Sequence, residues 1–261
     1  MANPKYIRTE IVNAVMVITL DRPKVNAFNL EMIAEFSRTL EKAASDDNIR
    51  CILVTGRGET FSAGHDVLEI SQRGSASVRK HLEQTYNRLI LQMRQVEKPV
   101  IAAINGTVSG AALGIVLACD LRIAVTRARF VVGFTGIGLV PDSGVSLLLP
   151  MFVGIGRAIE FTFTNQPISA EQALNWGLVN RLEAPENFLE QALNWANDLA
   201  QGPIHAMGLA KREFNKAVLG NLEDALGYEA QIQEIAAGNV EHREGVDAFL
   251  HKRKPDFINL D

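Results

Sequence analysis

Runs of β-branched residues and stretches with apolar positions at helical spacing take turns along the first two-thirds of the chain. IVNAVMVITL at 11–20 and IRCILVTG at 49–56 have the composition of strands, and PVIAAI at 99–104 and DLRIAV at 120–125 repeat the signal. Between the first two, NLEMIAEFSRTLEKAAS at 29–45 spaces its apolar residues three and four apart behind Asn29, whose short side chain suits a helix N-cap. Further helices are predicted at about 77–95 and 110–119. The run PVIAAINGTVSGAALGIVLACD at 99–120 is nearly long and apolar enough for a membrane span. Asn105, Gly106 and Gly110 instead divide it into a buried strand, a turn and a small-residue helix. The pattern predicts an α/β protein with buried strands.

From about residue 154 onward the strand signal nearly vanishes. ISAEQALNWG opens on a Ser169/Gln172 capping box and closes at Gly177. NFLEQALNWANDLAQG, IHAMGLAKREFNKAVLG and LEDALGYEAQIQEIAAG read as amphipathic helices stopped by glycine. The last third is therefore expected to be a helical layer, suited to covering a site or joining subunits. No low-complexity linker or short-period repeat interrupts the chain.

Composition narrows the function classes. With 261 residues, 47% hydrophobic and 21% charged, the chain is long enough for one substantial core. A net charge of −4 with scattered Lys and Arg offers no basic face for a nucleic-acid backbone. MANPKYIRTEIVNAVMVITL lacks the basic segment, apolar core and small-residue site of a secretion signal, so a cytoplasmic location is expected. Cys51 and Cys119 lie in apolar runs and read as reduced, buried thiols.

Several motif readings fail. Ser109 and Ser143 have the wrong glycine spacing for a nucleophile elbow, and GIGLVP puts Pro141 where a dinucleotide fingerprint needs its third glycine. No Walker lysine follows a glycine loop, and His65, His81, His205, His242 and His251 show no paired ligand spacing, so no metal is expected. Two glycine loops remain, FSAGHD at 61–66 and NGTVSGAALG at 105–114. Each follows a strand and leads into a helix, where the first backbone N–H groups have no partner within the helix. Together the loops could aim two donors at one oxygen, as an oxyanion hole does. In GLVPDSGVSLLLP at 138–150, the carboxylate of Asp142 stands alone among small and aliphatic residues. Read locally, PDSG is a type I turn in which the aspartate bonds its own backbone.

DRPKVNAFN, FSAGHD, KPVIAAINGTVSGAALGIVLACDLRIA and ISAEQALNWGLVN resemble, in order and spacing, the crotonase family, also called the enoyl-CoA hydratase/isomerase family. The likeness runs from about residue 8 to the closing REGVDAFLHKRKPDF. It implies an α/β spiral of ββα turns over 1–200, and a C-terminal helical region at 201–261 that joins subunits into a homotrimer or a dimer of trimers. It also implies an acyl-CoA thioester ligand, with no cofactor because CoA is part of the substrate. The oxyanion donors would be the backbone N–H groups of His65 and Ala111, a position where the family often has glycine. CoA would meet Lys24, Val25, Ala63, Asp66, Val67 and Leu68, with Phe249 and Lys252 of the last helix covering the nucleotide, often that of a neighbouring subunit. VRKHLEQTYNRLILQM would border the acyl pocket, with His81 and Tyr86 as packing or rim residues.

The chain departs from the family's hydratases at both glutamate positions, which fall on Gly114 and Phe134. Neither residue can position or deprotonate water, so hydratase activity is expected to be weak or absent. Asp142 resembles the acid/base site of Δ3,Δ2-enoyl-CoA isomerases and of the ring-opening isomerase of phenylacetyl-CoA degradation. Apolar neighbours such as Val140 and Val145 should raise its pKa. Three readings stay open: an isomerase using Asp142, a hydratase or thioesterase recruiting Glu69 or Asp66, and a non-catalytic acyl-CoA-binding paralogue.

Overall fold

The computed structural model describes residues 4–72 and 77–260; residues 1–3 of the N-terminal stretch read above lie outside them. The chain opens with a hairpin, β1 (Ile7–Val12) and β2 (Val15–Leu20), before helix α1 (Leu30–Ser45). Thus 11–20 is not one strand. Asn13, in left-handed backbone at φ 57, turns the chain so that Val12 pairs with Val15 and Ile7 with Leu20. Asn29 caps α1 as expected, its side chain accepting from the Met32 N–H.

Three strand pairs then repeat one arrangement. They are β3 (Cys51–Gly56) with β4 (Thr60–Ser62), β5 (Val100–Ile104) with β6 (Thr107–Ser109), and β7 (Leu121–Val125) with β8 (Arg129–Val131). The first strand of each pair joins a six-stranded sheet and the second a four-stranded one. The six-stranded order is β1-β2-β3-β5-β7-β10, closed by the short strand β10 (Arg181–Glu183), and it is parallel except for the opening hairpin. The four-stranded order is β4-β6-β8-β9, with β9 (Ile168–Ser169) antiparallel to β8. The last two strands are too short to show in a hydrophobic pattern. β3 and β5 are buried along their whole length, which is why they read as continuous apolar runs without alternation.

Each short strand leads towards a helix. Helix α2 (Val67–Gln72) follows β4, α5 (Ala111–Ala118) follows β6, and α6 (Val145–Val153) follows β8 after a 3₁₀ turn at Thr135–Ile137. Because β4, β6 and β8 are parallel neighbours, their C-terminal ends lie side by side, and so do the loops that leave them. This is the expected spiral of ββα turns. The apolar segment at 99–120 is β5, β6 and the fully buried α5, and no helix among the described residues is long and apolar enough to cross a membrane.

Between α2 and β5 the predicted single helix at 77–95 is two, α3 (Val78–Gln84) and α4 (Tyr86–Gln95). They part at Thr85, whose backbone leaves the helical region (φ −123, ψ −91) while its hydroxyl donates to the His81 carbonyl. The helical layer comprises α7 (Ile155–Thr164), α8 (Ala170–Asn175), α9 (Phe188–Ala200), α10 (Ile204–Val218), α11 (Leu222–Ala237) and α12 (Val240–Leu250). The capping box of Ser169 and Gln172 forms at α8. Lys211 of α10 is buried and donates to the Met93 carbonyl and to Asp120, tying this layer to the core. Cys51 and Cys119 are free and buried, and burial pushes both thiols up to about 12.

Candidate active site

The site begins where two glycine loops touch. Gly64 takes a left-handed conformation at φ 84, and a Cβ there would lie 2.6 Å from the Ser109 carbonyl oxygen, 3.2 Å from Ala111 N and 3.3 Å from Gly110 Cα. Only glycine allows that approach. Residues 25–28 brace the first loop: Phe28 N–H donates to the Gly64 carbonyl, Ala63 N–H to Val25, and Asp66 N–H to Phe28. Buried Asn26 locks this brace, its amide donating to the carbonyls of Arg57, Thr60 and Phe61. The peptides of His65 and Ala111 are thereby brought to one place. Ala111 is the first residue of α5, where the N–H has no intrahelical acceptor.

A cavity of about 840 Å³ opens on these loops. Its wall includes His65, Gly110, Ala111, Phe134, Asp142 and Gln233. Among the expected CoA contacts, Ala63, Val67 and Phe249 line it, whereas Lys24, Val25, Asp66, Leu68 and Lys252 do not. Asp66 is engaged otherwise. Its carboxylate pairs with Arg22 at 2.6 Å and accepts from the Leu68 N–H. His81 and Tyr86 also face the cavity, and Tyr86 is buried with its hydroxyl 3.0 Å from His65 Nδ1. The His65 ring is thus held from α4, with Glu69 3.6 Å from its other nitrogen.

Asp142 is 6% exposed and sits on the cavity wall. The turn around it differs from the one read from sequence. The Val145 N–H donates to the Asp142 carbonyl, and the two residues between have positive φ, 58 at Ser143 and 83 at Gly144, the signs of a type I′ turn. The turn starts at Asp142 instead of Pro141, and the aspartate side chain does not bond its own backbone. Its Oδ1 accepts from the Ser143 hydroxyl at 2.7 Å and its Oδ2 from the Gln233 amide at 2.8 Å. Burial pushes the carboxyl up to about 6, against the lowering effect of those two hydrogen bonds.

The neighbouring Glu229 was not singled out from sequence, nor was Gln233. Glu229 accepts from the N–H groups of Gly144 and Ser146, and burial, with a contribution from the Asp142 charge, pushes it up to about 7. A signal for both existed. Leu222, Leu226, Glu229, Ala230 and Gln233 form one buried stripe of α11, so two polar residues occupy core positions of an amphipathic helix.

Gly114 and Phe134, where hydratase glutamates were expected, bear on the same turn and cavity. A Cβ on Gly114 would collide with the Ser143 carbonyl oxygen and come within 2.7 Å of its Cβ. The Asp142 turn therefore rests directly on the bare backbone of α5. Phe134 is buried in the cavity wall. Among the described residues, no group of three or more His, Cys, Asp or Glu side chains could hold a metal ion.

Residues 10–259 match the family model for enoyl-CoA hydratase/isomerase. The chain is 37% identical over 257 residues to 1,2-epoxyphenylacetyl-CoA isomerase of Escherichia coli (strain K12), covering 97% of this chain and 98% of the relative. It is 36% identical over 252 residues to a probable enoyl-CoA hydratase of Rhodobacter capsulatus, covering 96% and 97%. The crystal structure of an enoyl-CoA hydratase from Mycobacterium avium subsp. paratuberculosis K-10 superposes with a TM-score of 0.89 at 29% identity, covering 98% of this chain and all of that one.

Proposed function

The chain belongs to the enoyl-CoA hydratase/isomerase family, and we propose that it isomerises an acyl-CoA thioester, with Asp142 carrying the proton. The observation that carries this reading is a buried carboxyl on the cavity wall whose proton affinity is raised into the range of a useful base. The peptides of His65 and Ala111 polarise the thioester carbonyl. The Asp142 carboxylate takes a proton from C2 of a 3-enoyl chain, and the electron pair delocalises as a dienolate onto the thioester oxygen. The same carboxyl then returns its proton at C4, giving the conjugated 2-enoyl thioester. The dienolate's charge falls on the oxygen held by the two N–H groups, and each such donor is typically worth about 3 kcal/mol. The same groups suit opening of a strained ring attached to the thioester, in line with the Escherichia coli relative being a 1,2-epoxyphenylacetyl-CoA isomerase.

Hydration is disfavoured because Gly114 leaves no space for a carboxylate beside the turn and Phe134 brings none. Of the two alternative carboxylates, Asp66 is committed to Arg22 and Glu69 stands 3.6 Å from the His65 ring, and neither lines the cavity. CoA is assigned to the part of the cavity wall that holds Ala63, Val67 and Phe249, while contacts with Lys24, Val25, Asp66, Leu68 and Lys252 rest on the family likeness alone. Exposed apolar residues on the helical layer, among them Phe163, Phe214 and Ile235, support assembly into a homotrimer or a dimer of trimers.

The test is incubation with a 3-enoyl-CoA in heavy water, following 2-enoyl-CoA formation and deuterium uptake. Wild type converts and exchanges; Asp142→Asn loses roughly 100- to 10,000-fold in kcat while still binding CoA thioester. Equal rates in the two proteins would remove Asp142 from the chemistry. Crotonyl-CoA hydration, assayed alongside, should stay near background.

A further inference from the structure

Two buried polar side chains, Glu229 and Gln233, stand one turn apart on α11, and among the described residues both bond only to the segment 140–146. Buried polar groups persist where their partners are specified. The Gln233 amide bonds twice to this segment: Oε1 accepts from the Val140 N–H at 2.9 Å, and Nε2 donates to Asp142 Oδ2 at 2.8 Å. A backbone N–H can only donate, so Val140 fixes which end of the amide is oxygen and turns the NH₂ towards Asp142. Glu229 holds the other side of the turn through Gly144 N–H at 2.8 Å and Ser146 N–H at 2.9 Å.

We propose that Gln233 is a positioning residue for Asp142, holding Oδ2 with a neutral donor so that the carboxyl keeps one orientation towards the cavity while Glu229 fixes the turn beneath it. This deepens the assignment of Asp142 as proton carrier and rests on it. A cation at position 233 would pull the carboxyl down and weaken it as a base; an apolar side chain would leave the Ser143 hydroxyl as its remaining donor. Glutamine lies between these, lowering the proton affinity of a buried acid without cancelling the effect of burial. Other titratable and charged groups surround Asp142: Glu229 of α11 acts on it from the turn, and His65 beside α2, His81 and Tyr86 from α3 and α4, and His242, Arg243 and Asp247 from α12 line the cavity. The pH test must therefore follow Asp142 itself.

Full-length protein labelled with ¹³C at the aspartate side-chain carboxyls is titrated by NMR, with Asp142→Asn identifying the resonance. Gln233→Met and Gln233→Leu both remove the donor at similar length and volume, so either suffices if the other fails to fold. In both, the Asp142 resonance should titrate higher by at least about half a pH unit. The acidic limb of kcat for 3-enoyl-CoA should move with it, and kcat near neutral pH should fall about tenfold while KM changes less than about threefold. A lower melting temperature with the resonance and the kcat limb both unmoved would overturn the proposal, since that is what a purely structural residue gives. Should wild type show no isomerisation, the titration decides alone. A shifted resonance would keep Gln233 as the positioning group while the assigned activity falls, and an unshifted one would remove Gln233.

Discussion

Asp142 must be ionised to act as a base, and in this fold ionisation works against stability. Its carboxyl is raised from 3.8 to about 6 by burial. A raised folded-state pKa means that the protonated form contributes stability in full below about pH 4, and that this contribution is lost as pH rises through about 6. The shift corresponds to an upper bound of about 3 kcal/mol. Activity should therefore climb with pH through about 6 just as this part of the stability declines. Asp142→Asn removes the penalty and retains hydrogen bonding, since asparagine can accept from Gln233 and donate to Ser143. Its melting temperature should exceed that of wild type near pH 8, with the margin shrinking from about pH 6 and gone near pH 4. Calorimetry across that range checks it; a margin independent of pH would mean that Asp142 does not titrate from a buried site. Asp142 could be singled out as a candidate in sequence because both hydratase glutamate positions, Gly114 and Phe134, lack an acid. Its partners were not, because Gln233 lies 91 residues away and meets Asp142 only through the docking of α11.

At the level of elements, α5 shows how a missing side chain can be structural. Glycine inside a helix costs about 1 kcal/mol relative to alanine, so propensity alone predicts that Gly114→Ala stabilises the protein. Packing predicts the reverse, because the added Cβ would meet the backbone of Ser143 and neither the buried helix nor the turn has space to yield. Overpacking of this kind typically costs about 1–3 kcal/mol. Gly114→Ala should thus lower the urea midpoint, and by displacing the Asp142 turn it should also lower kcat for 3-enoyl-CoA. A variant more stable than wild type would show that the contact is loose. Sequence reasoning placed Gly114 at a vacated catalytic position but could not see that the turn bearing Asp142 rests on it. Capped and strongly periodic helices such as α1 and α8 were readable, as were the wholly buried strands β3 and β5. The hairpin at Asn13 and the break at Thr85 were not, since each depends on a single residue whose conformation is set by what packs around it.

For the whole molecule, the spiral and the helical layer leave apolar surface that one copy of the chain does not cover. A groove of about 510 Å³ between α6 and α10 is lined by Met151, Phe152, Met207, Phe214 and Val218. Phe214 is 67% exposed, Val218 50% and Met151 43%. Scattered exposed apolar residues are ordinary, but a contiguous set around one groove marks a surface that associates. The proposed trimer would bury it against further copies of the chain. Sedimentation should then give a species three or six times the 28.6 kDa chain mass. Paired Met151→Glu and Phe214→Glu substitutions should shift it towards the monomer, because two charges placed in an apolar contact must be desolvated without partners. The site lies on a different surface: the cavity wall is built by the loops after β4, β6 and β8 and by α11 and α12, and it shares no lining residue with this groove. Phe249 lines the cavity of its own chain; if a neighbouring subunit adds further cover to CoA, as the family likeness implies, dissociation should raise KM for the thioester several-fold while kcat at saturation stays close to wild type. An unchanged sedimentation coefficient in the double variant would exclude this groove from the assembly and shift attention to the exposed face of α7, where Ile155, Ile159 and Phe163 line up at helical spacing.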